Sequence, residues 1–152
     1  AYKSHKNGSK VIYEDFNSCL DWYRPKLLGI YKIIIAPHPK RLPEEQYLAS
    51  VLNECEKLDI KWALKLHWGV YSYKNLYHKI QKEFAKIDQN KGILCDEYTI
   101  IELEMFLENK HLLGQVTSLA MYAKKFGSTY ETIDFEGYLG FENKGDYFMP
   151  KD

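Results

Sequence analysis

The chain has 152 residues, carries 21 basic against 21 acidic side chains, and is 45% apolar and 15% aromatic. This length is typical of a single domain with a core that needs no disulfide or metal to stabilise it. The balanced charge argues against binding to nucleic acid or an anionic membrane through bulk charge alone. The composition also excludes an intrinsically disordered chain and a collagen-like repeat. We interpret residues 1–152 as one domain with a core over 30–135, and expect 1–9 and 142–152 to be mobile.

The three cysteines, Cys19, Cys55 and Cys95, are widely spaced, and none belongs to a CxxC pair. An odd number without such a pair argues against a disulfide scaffold and a structural zinc site. We therefore predict buried, reduced thiols, which are typical of a cytoplasmic protein. No apolar run approaches the ~18 residues that span a bilayer, and the N-terminal residues lack the apolar segment of a signal peptide. The sequence thus predicts a cytoplasmic protein with no membrane partner.

The first third of the chain contains two stretches with strand character. Residues 10–16 are predicted to form a short strand, and residues 17–23 one or two helical turns that Pro25 ends. Residues 30–36 form the best strand in the chain, because they are β-branched and aromatic and lie between a glycine and a proline. Their nearly continuous apolar character predicts a central strand that is covered on both faces.

An amphipathic helix and an alternating strand follow. Residues 44–58 place apolar side chains on one stripe at helical spacing. Residues 60–68 alternate strictly between apolar and polar positions, which predicts a half-buried strand. Lys61, Lys65 and His67 share the face opposite the two tryptophans of this strand.

The next two segments are a helix and a stretch that fits two descriptions. Helical spacing returns over residues 73–87, and the outer face of this helix is rich in lysine. Within residues 93–108, Thr99 and Glu102 match a helix-capping box, yet apolar and polar residues also alternate as in a strand. We favour a strand over residues 98–105, because β-branched residues open it, and a helix is the alternative.

Residues 109–126 are predicted to form a helix that ends at Gly127, and residues 128–135 a last strand. Two strand–helix–strand units therefore follow each other from residue 30 onward. This order predicts an α+β protein, specifically a ferredoxin-like split βαβ sandwich with helices on one sheet face. The helix over 73–87 is expected to be an extra element between the two halves.

Two glutamates suggest one catalytic hypothesis, although the sequence has no phosphate-binding glycine loop, zinc-protease motif or nucleophile elbow. Glu102 and Glu104 would share one face of the predicted strand, with Lys110 nearby in the sequence. Closely spaced carboxylates can hold a divalent metal that activates water, and a lysine can stabilise the developing charge. A metal-dependent nuclease is therefore one hypothesis. The more ordinary interpretation is a solvated edge strand, and no bound metal or cofactor is expected.

His67 is the histidine whose position the sequence defines best. A histidine beside Lys61 and Lys65 would have its charged form disfavoured, and it could then act as a general base near neutral pH. The same face, together with the basic helix over 73–87, is a candidate for RNA binding by charge and stacking. The more ordinary interpretation is a polar sheet face that contacts solvent or a protein partner.

A basic loop follows the predicted central strand. His38 lies between two prolines in the sequence PHPKRLP and is followed by Lys40 and Arg41. A rigid basic loop of this kind can contact phosphate, and a solvated connection is the alternative interpretation.

Aromatic side chains form a further group of candidates. The chain has 13 tyrosines, and amphipathic aromatic residues are favoured at protein interfaces. Tyr138 and Phe141 lie in a C-terminal region with little helix or strand pattern. They are candidate contacts for a protein partner.

A short pattern near the C-terminal end resembles a known family. The residues that carry it are Gln115, Val116, Leu119, Ala123, Lys125, Phe126 and Tyr130. Over residues 98–135 the chain resembles the type B regulators of ribonuclease E activity, in which a strand, a helix with these residue types and a tyrosine-containing strand follow each other. The resemblance implies a similar fold and a role in docking on a protein. That family is strongly acidic whereas this chain is neutral, so we do not expect the ribonuclease target to carry over.

Together these observations predict a non-catalytic regulator, inhibitor or toxin-immunity protein that acts by covering the surface of a partner. The expected partner is a protein, such as a nuclease or toxin, and nucleic acid is less favoured. A metal-dependent nuclease and an RNA-binding module are the alternatives.

Overall fold

The computed structural model of the protein describes residues 16–39, 44–115, 118–133 and 135. The predicted strand over 10–16 falls almost entirely outside these residues, as do both ends that were expected to be mobile. The described helices are α1 (Phe16–Cys19), α2 (Glu44–Glu56), α3 (Lys74–Ala85), α4 (Ile101–Leu107) and α5 (Leu119–Phe126), with a 3₁₀ helix at Trp68–Ser72. The described strands are β1 (Lys32–Ile35), β2 (Trp62–Lys65), β3 (Gly92–Leu94), β4 (His111–Gly114) and β5 (Thr129–Thr132).

The strands form one five-stranded sheet in the order β3-β2-β1-β4-β5, and every pair of neighbours is parallel. The central strand β1 pairs with β2 on one side, where Lys32 lies opposite Trp62. It pairs with β4 on the other side, where Lys32 lies opposite His111. The chain therefore winds outward from β1 to β3, returns to the far side of β1, and winds outward again to β5.

Helices cover both faces of this sheet. The successive residues Ile33 and Ile34 of β1 lie in two different buried clusters, as expected for neighbours along a strand. Ile34 packs with α2 and α3, and Ile33 packs with α4 and α5. Buried helix residues of the first cluster are Tyr47, Val51, Cys55, Leu76, Ile80 and Phe84, and those of the second are Ile101, Met105 and Ala123.

The predicted mixture of helices and strands is confirmed, but the sheet differs from the ferredoxin-like sandwich. Each of the strands β1 to β4 is followed by a crossover, and crossovers that connect parallel strands lay helices on both faces rather than one. The helix over 73–87 is not an extra element, because α3 is the crossover between the neighbouring strands β2 and β3.

The prediction of a strand over 98–105 is wrong, because residues 101–105 belong to α4. Met105 packs in the buried cluster that contains Ile33, whereas Leu103 packs in a third cluster with Tyr23. A helix that is buried on two sides has apolar residues at closely spaced positions, and this produced the alternation along the sequence. The Thr99 hydroxyl does not cap this helix but donates to the Asp96 carboxylate at 3.1 Å.

Other elements lie close to their predicted positions. The predicted central strand is β1, and the amphipathic helices correspond to α2 and α3. The predicted half-buried strand is the shorter β2, in which Ala63 is buried on the supposedly polar face. The prediction of a single helix over 109–126 is wrong, because these residues contain β4 and then α5. The α5 helix is followed by Gly127, whose left-handed φ of 81° favours glycine. None of the described helices is long and apolar enough to cross a membrane.

Candidate ligand site at the carboxyl edge of the sheet

The direction of winding reverses between the adjacent strands β1 and β4. The chain that leaves β1 enters α2 on one face of the sheet, and the chain that leaves β4 enters α5 on the other. In open parallel sheets the two connections separate at such a point and leave a crevice outside the carboxyl ends of the strands, where ligands bind. The residues that follow β1 and β4, and those of the neighbouring β2, are therefore the candidates for a site.

The segment after β1 is held in a fixed position. Pro37 and Pro39 are both buried, and the half-buried His38 lies between them. The hydroxyl of Tyr47 in α2 donates to the carbonyl oxygen of Pro37 at 2.7 Å. This bond and the restricted φ of proline fix the backbone on which the His38 imidazole is carried.

His67 meets His38 at this edge. It follows β2, is half-buried, and precedes the 3₁₀ helix. The centroids of the two imidazole rings are 4.6 Å apart with an angle of 70° between their planes. The parallel pairing of β1 with β2 explains the contact, because it places the carboxyl ends of both strands at one edge. We call His38 and His67 the histidine pair.

Gly69 makes room for the histidine pair. Its backbone N–H donates to Nδ1 of His67 at 3.0 Å. A Cβ atom at this position would lie 3.0 Å from Nε2 of His38 and 3.2 Å from Nδ1 of His67, tighter than ordinary packing. The absence of a side chain at residue 69 therefore lets both rings approach the backbone.

Burial lowers the pKa of His67 to about 4, and a smaller contribution comes from the charge of His38. The sequence prediction attributed such a shift to Lys61 and Lys65, but the structure places both elsewhere. Lys61 is exposed ahead of β2. The Nζ atom of Lys65 donates to the carbonyl oxygens of Asp96 and Thr99, at 3.2 and 2.7 Å. Burial lowers the pKa of Lys65 as well.

The proposed role of His67 as a general base does not fit this geometry. A general base needs a free lone pair on a ring nitrogen, and the Nδ1 lone pair accepts the Gly69 N–H. A pKa of about 4 also makes the ring a weak proton acceptor near pH 7.

Exposed aromatic side chains surround the histidine pair. Trp68 is 76% exposed, and its ring lies 5.3 Å from that of His67. Tyr73 is 45% exposed, and its ring lies 6.3 Å from that of His38. These side chains offer flat apolar surfaces to whatever binds at this edge.

Gln115 directly follows β4 on the other side of the reversal. Its backbone carbonyl oxygen accepts a hydrogen bond from the hydroxyl of Tyr130. Its side-chain Nε2 is buried, and no hydrogen-bond partner for it is found in the described part of the chain. A buried amide donor without a partner is rare and calls for an explanation, of which a bound ligand is one.

The three residues of the nuclease hypothesis do not form a metal site. Glu104 and Lys110 are fully buried, and both bind the segment between α1 and β1. Glu102 is half-buried on α4. Across the described residues there is no group of three or more His, Cys, Asp or Glu side chains that could hold a metal ion. The other two predicted binding residues, Tyr138 and Phe141, lie outside the described residues.

The sequence singled out His67 and the His38 loop separately but did not bring them together. The signal for the loop was the PHP sequence after the best strand, which the structure places at the reversal point. Gln115 was missed as a site residue, because the sequence placed it inside a helix rather than at the end of β4.

No protein-family model, no characterised protein and no solved structure matches this chain. The resemblance to the regulators of ribonuclease E activity therefore stays a prediction.

Proposed function

We propose that this chain binds a small phosphate-bearing ligand at the carboxyl edge of the sheet, between β1 and β4. The observation that carries the proposal is the placement of His38 and Gln115 in the segments that follow β1 and β4, the strands between which the winding reverses. His67 contacts His38 from the neighbouring β2, and the Gln115 amide has no hydrogen-bond partner among the described residues. Ligand sites of open parallel sheets are found at this position, and a few convergent polar groups beside apolar surface are typical of them.

The distribution of charge favours an anionic ligand. The site offers N–H donors, and in the sequence Lys40 and Arg41 directly follow Pro39. The α5 helix begins beyond β4, and the N-terminus of a helix favours negative charge. The acidic residue Asp96 follows β3, two strands away from β1, and is paired with Lys26 at 3.2 Å.

A thermal unfolding experiment tests the proposal, with pyrophosphate as the probe and sulfate at matched ionic strength as the reference. A ligand at ten times its Kd stabilises the folded state by about 1.4 kcal/mol, which raises Tm by about 3–5 °C for a chain of this length. We expect this rise for the wild type and its loss in His38→Ala. The control His78→Ala, a substitution on the exposed side of α3, should keep it. No rise in the wild type, or an equal rise in His38→Ala, contradicts the proposal.

A second candidate is the protein-binding regulator predicted from the composition. The observation that favours it is the exposure of Trp68 and Tyr98, at 76% and 61%, after the neighbouring strands β2 and β3. Exposed aromatic residues are common anchors of protein interfaces. Capture of one stoichiometric protein by the wild type, and not by Trp68→Ala, supports this function. Capture that is unaffected by Trp68→Ala argues against an interface at this edge.

We also propose a reducing compartment such as the cytoplasm. Cys19, Cys55 and Cys95 are all buried and form no disulfide with one another, which supports this location. Burial raises the pKa of Cys95 to about 12. A thiol with such a pKa is not activated, so a catalytic role for it is disfavoured.

A further inference from the structure

We propose that His67 is held in a single neutral tautomer and donates a hydrogen bond from its Nε2–H to an oxygen atom of the bound ligand. The side chain thereby favours oxyanions over metal cations at this edge. This inference rests on the proposed function and names the group that recognises the ligand.

The first step concerns which nitrogen carries the proton. The donor to Nδ1 of His67 is the backbone N–H of Gly69, at 3.0 Å. A backbone amide can only donate, so Nδ1 must present its lone pair. The proton of a neutral imidazole then lies on Nε2. Because the partner is a main-chain group at the start of the 3₁₀ helix, it cannot rotate to reverse this arrangement.

The second step concerns the charge of the ring. A second proton on His67 would have to occupy Nδ1 and face the Gly69 N–H. The ring is also half-buried, and the titratable group that contacts it is His38, whose charge disfavours a second one nearby. Among the described residues no carboxylate bonds to the His67 ring. Tyr73, which directly precedes α3, lies against His38. The neutral form is therefore favoured well below pH 7.

The third step concerns what such a ring can bind. The Nε2–H of His67 has no hydrogen-bond partner within the described parts of the chain. A neutral N–H donor binds phosphate, carboxylate or carbonyl oxygen, but it offers no lone pair to a metal ion. The two imidazoles are thus close together without forming a two-histidine metal site. His67 instead supplies a hydrogen-bond donor whose own protonation state does not change between pH 6 and pH 8.

Two measurements test the inference on the intact chain. The ¹⁵N resonances of the His67 ring, recorded without ligand at pH 7, report which nitrogen carries the proton, and we expect Nε2. The Kd for pyrophosphate is then compared among the wild type, His67→Phe and His67→Gln. Loss of one hydrogen bond to a charged oxygen should weaken binding about ten-fold or more in His67→Phe. Gln has an amide N–H2 donor and should restore most of the affinity.

The outcomes separate this inference from the proposed function. A proton on Nδ1, or a charged ring at pH 7, overturns the inference. Wild-type binding that His67→Phe leaves unchanged overturns it and leaves the proposed function standing. If the folded wild type does not bind pyrophosphate at all, both are overturned. A melting profile of His67→Gln that matches the wild-type profile confirms that this variant is folded. If it is not folded, His67→Asn serves as the second variant with an amide donor.

Discussion

The buried carboxylate of Glu104 accepts a hydrogen bond from the hydroxyl of Tyr23 at 2.5 Å, although 81 residues separate the two in the sequence. The same carboxylate accepts the backbone N–H groups of Lys26 and Leu27, at 2.8 and 3.1 Å. Burial, followed by the hydrogen bond to Glu104, raises the pKa of Tyr23. One side chain of α4 therefore fixes the segment that leads into the central strand.

We expect Glu104→Gln to destabilise the protein by about 2–3 kcal/mol, the usual contribution of hydrogen bonds to a buried charged group. The amide would also direct a donor toward backbone N–H groups that need an acceptor. Urea unfolding measures the change. Glu56→Gln, on the exposed side of α2, is the matched control and should leave the unfolding midpoint unchanged. Equal stabilities for the two variants would show that the three hydrogen bonds contribute little.

Lys110 holds the same segment from the other end. Its Nζ atom is buried and donates to the carbonyl oxygens of Leu27 and Ile30, at 2.6 and 2.8 Å, and to the carboxylate of Glu108 at 2.6 Å. Lys110→Met should cost about 3 kcal/mol, because it removes a buried charged donor and the hydrogen bond that this donor makes to the Ile30 carbonyl oxygen. Lys82→Met, on the exposed side of α3, is the control. If Lys110→Met and Lys82→Met unfold at the same urea concentration, Lys110 does not stabilise this segment.

The sequence predicted those elements whose pattern is local. The continuous apolar run of β1 and the helical stripes of α2 and α3 could be read directly, because one or both faces of each element meet the core in a regular way. The short strand β4 could not be separated from the helix that follows, since its four residues, His111–Gly114, are too few to distinguish the two patterns. Without β4 the all-parallel order was hidden, and with it the reversal point.

The candidate site was harder to predict than the elements. His38 and His67 lie 29 residues apart, and only the parallel pairing of β1 with β2 brings them together. The sequence offered Glu104 and Lys110 as candidates for a nuclease site, with a solvated strand face as the more ordinary interpretation of the glutamates, yet both side chains are buried. Their charges are satisfied by distant backbone groups that a sequence pattern does not reveal.

The lowered pKa of His67 predicts a pH dependence of stability. An unfolded histidine has a pKa of about 6.5, whereas His67 in the folded state titrates at about 4. Between these values the unfolded chain binds a proton that the folded chain does not. The free energy of unfolding is therefore fully retained above pH 6.5 and falls as the pH drops toward 4. After allowance for solvent screening of a half-buried ring, the loss between pH 7 and pH 5 is about 1 kcal/mol.

Urea unfolding of the wild type and of His67→Gln at both pH values isolates this effect. Between pH 7 and pH 5 the wild type should lose more free energy of unfolding than His67→Gln does, because the variant lacks the titrating ring. His78→Gln, which removes an exposed histidine, should behave as the wild type does. Parallel pH profiles for the wild type and His67→Gln would mean that the folded-state pKa of His67 is not lowered.

The most direct test of the account is an NMR titration of the ¹⁵N-labelled chain with pyrophosphate, which maps where the ligand binds. We predict that the largest saturable amide shifts fall at Ala36, His38, His67, Gly69 and Gln115, around the carboxyl ends of β1, β2 and β4. Shifts confined to the lysine-rich face of α3, or no saturable shift at millimolar pyrophosphate, would contradict a ligand site at this edge.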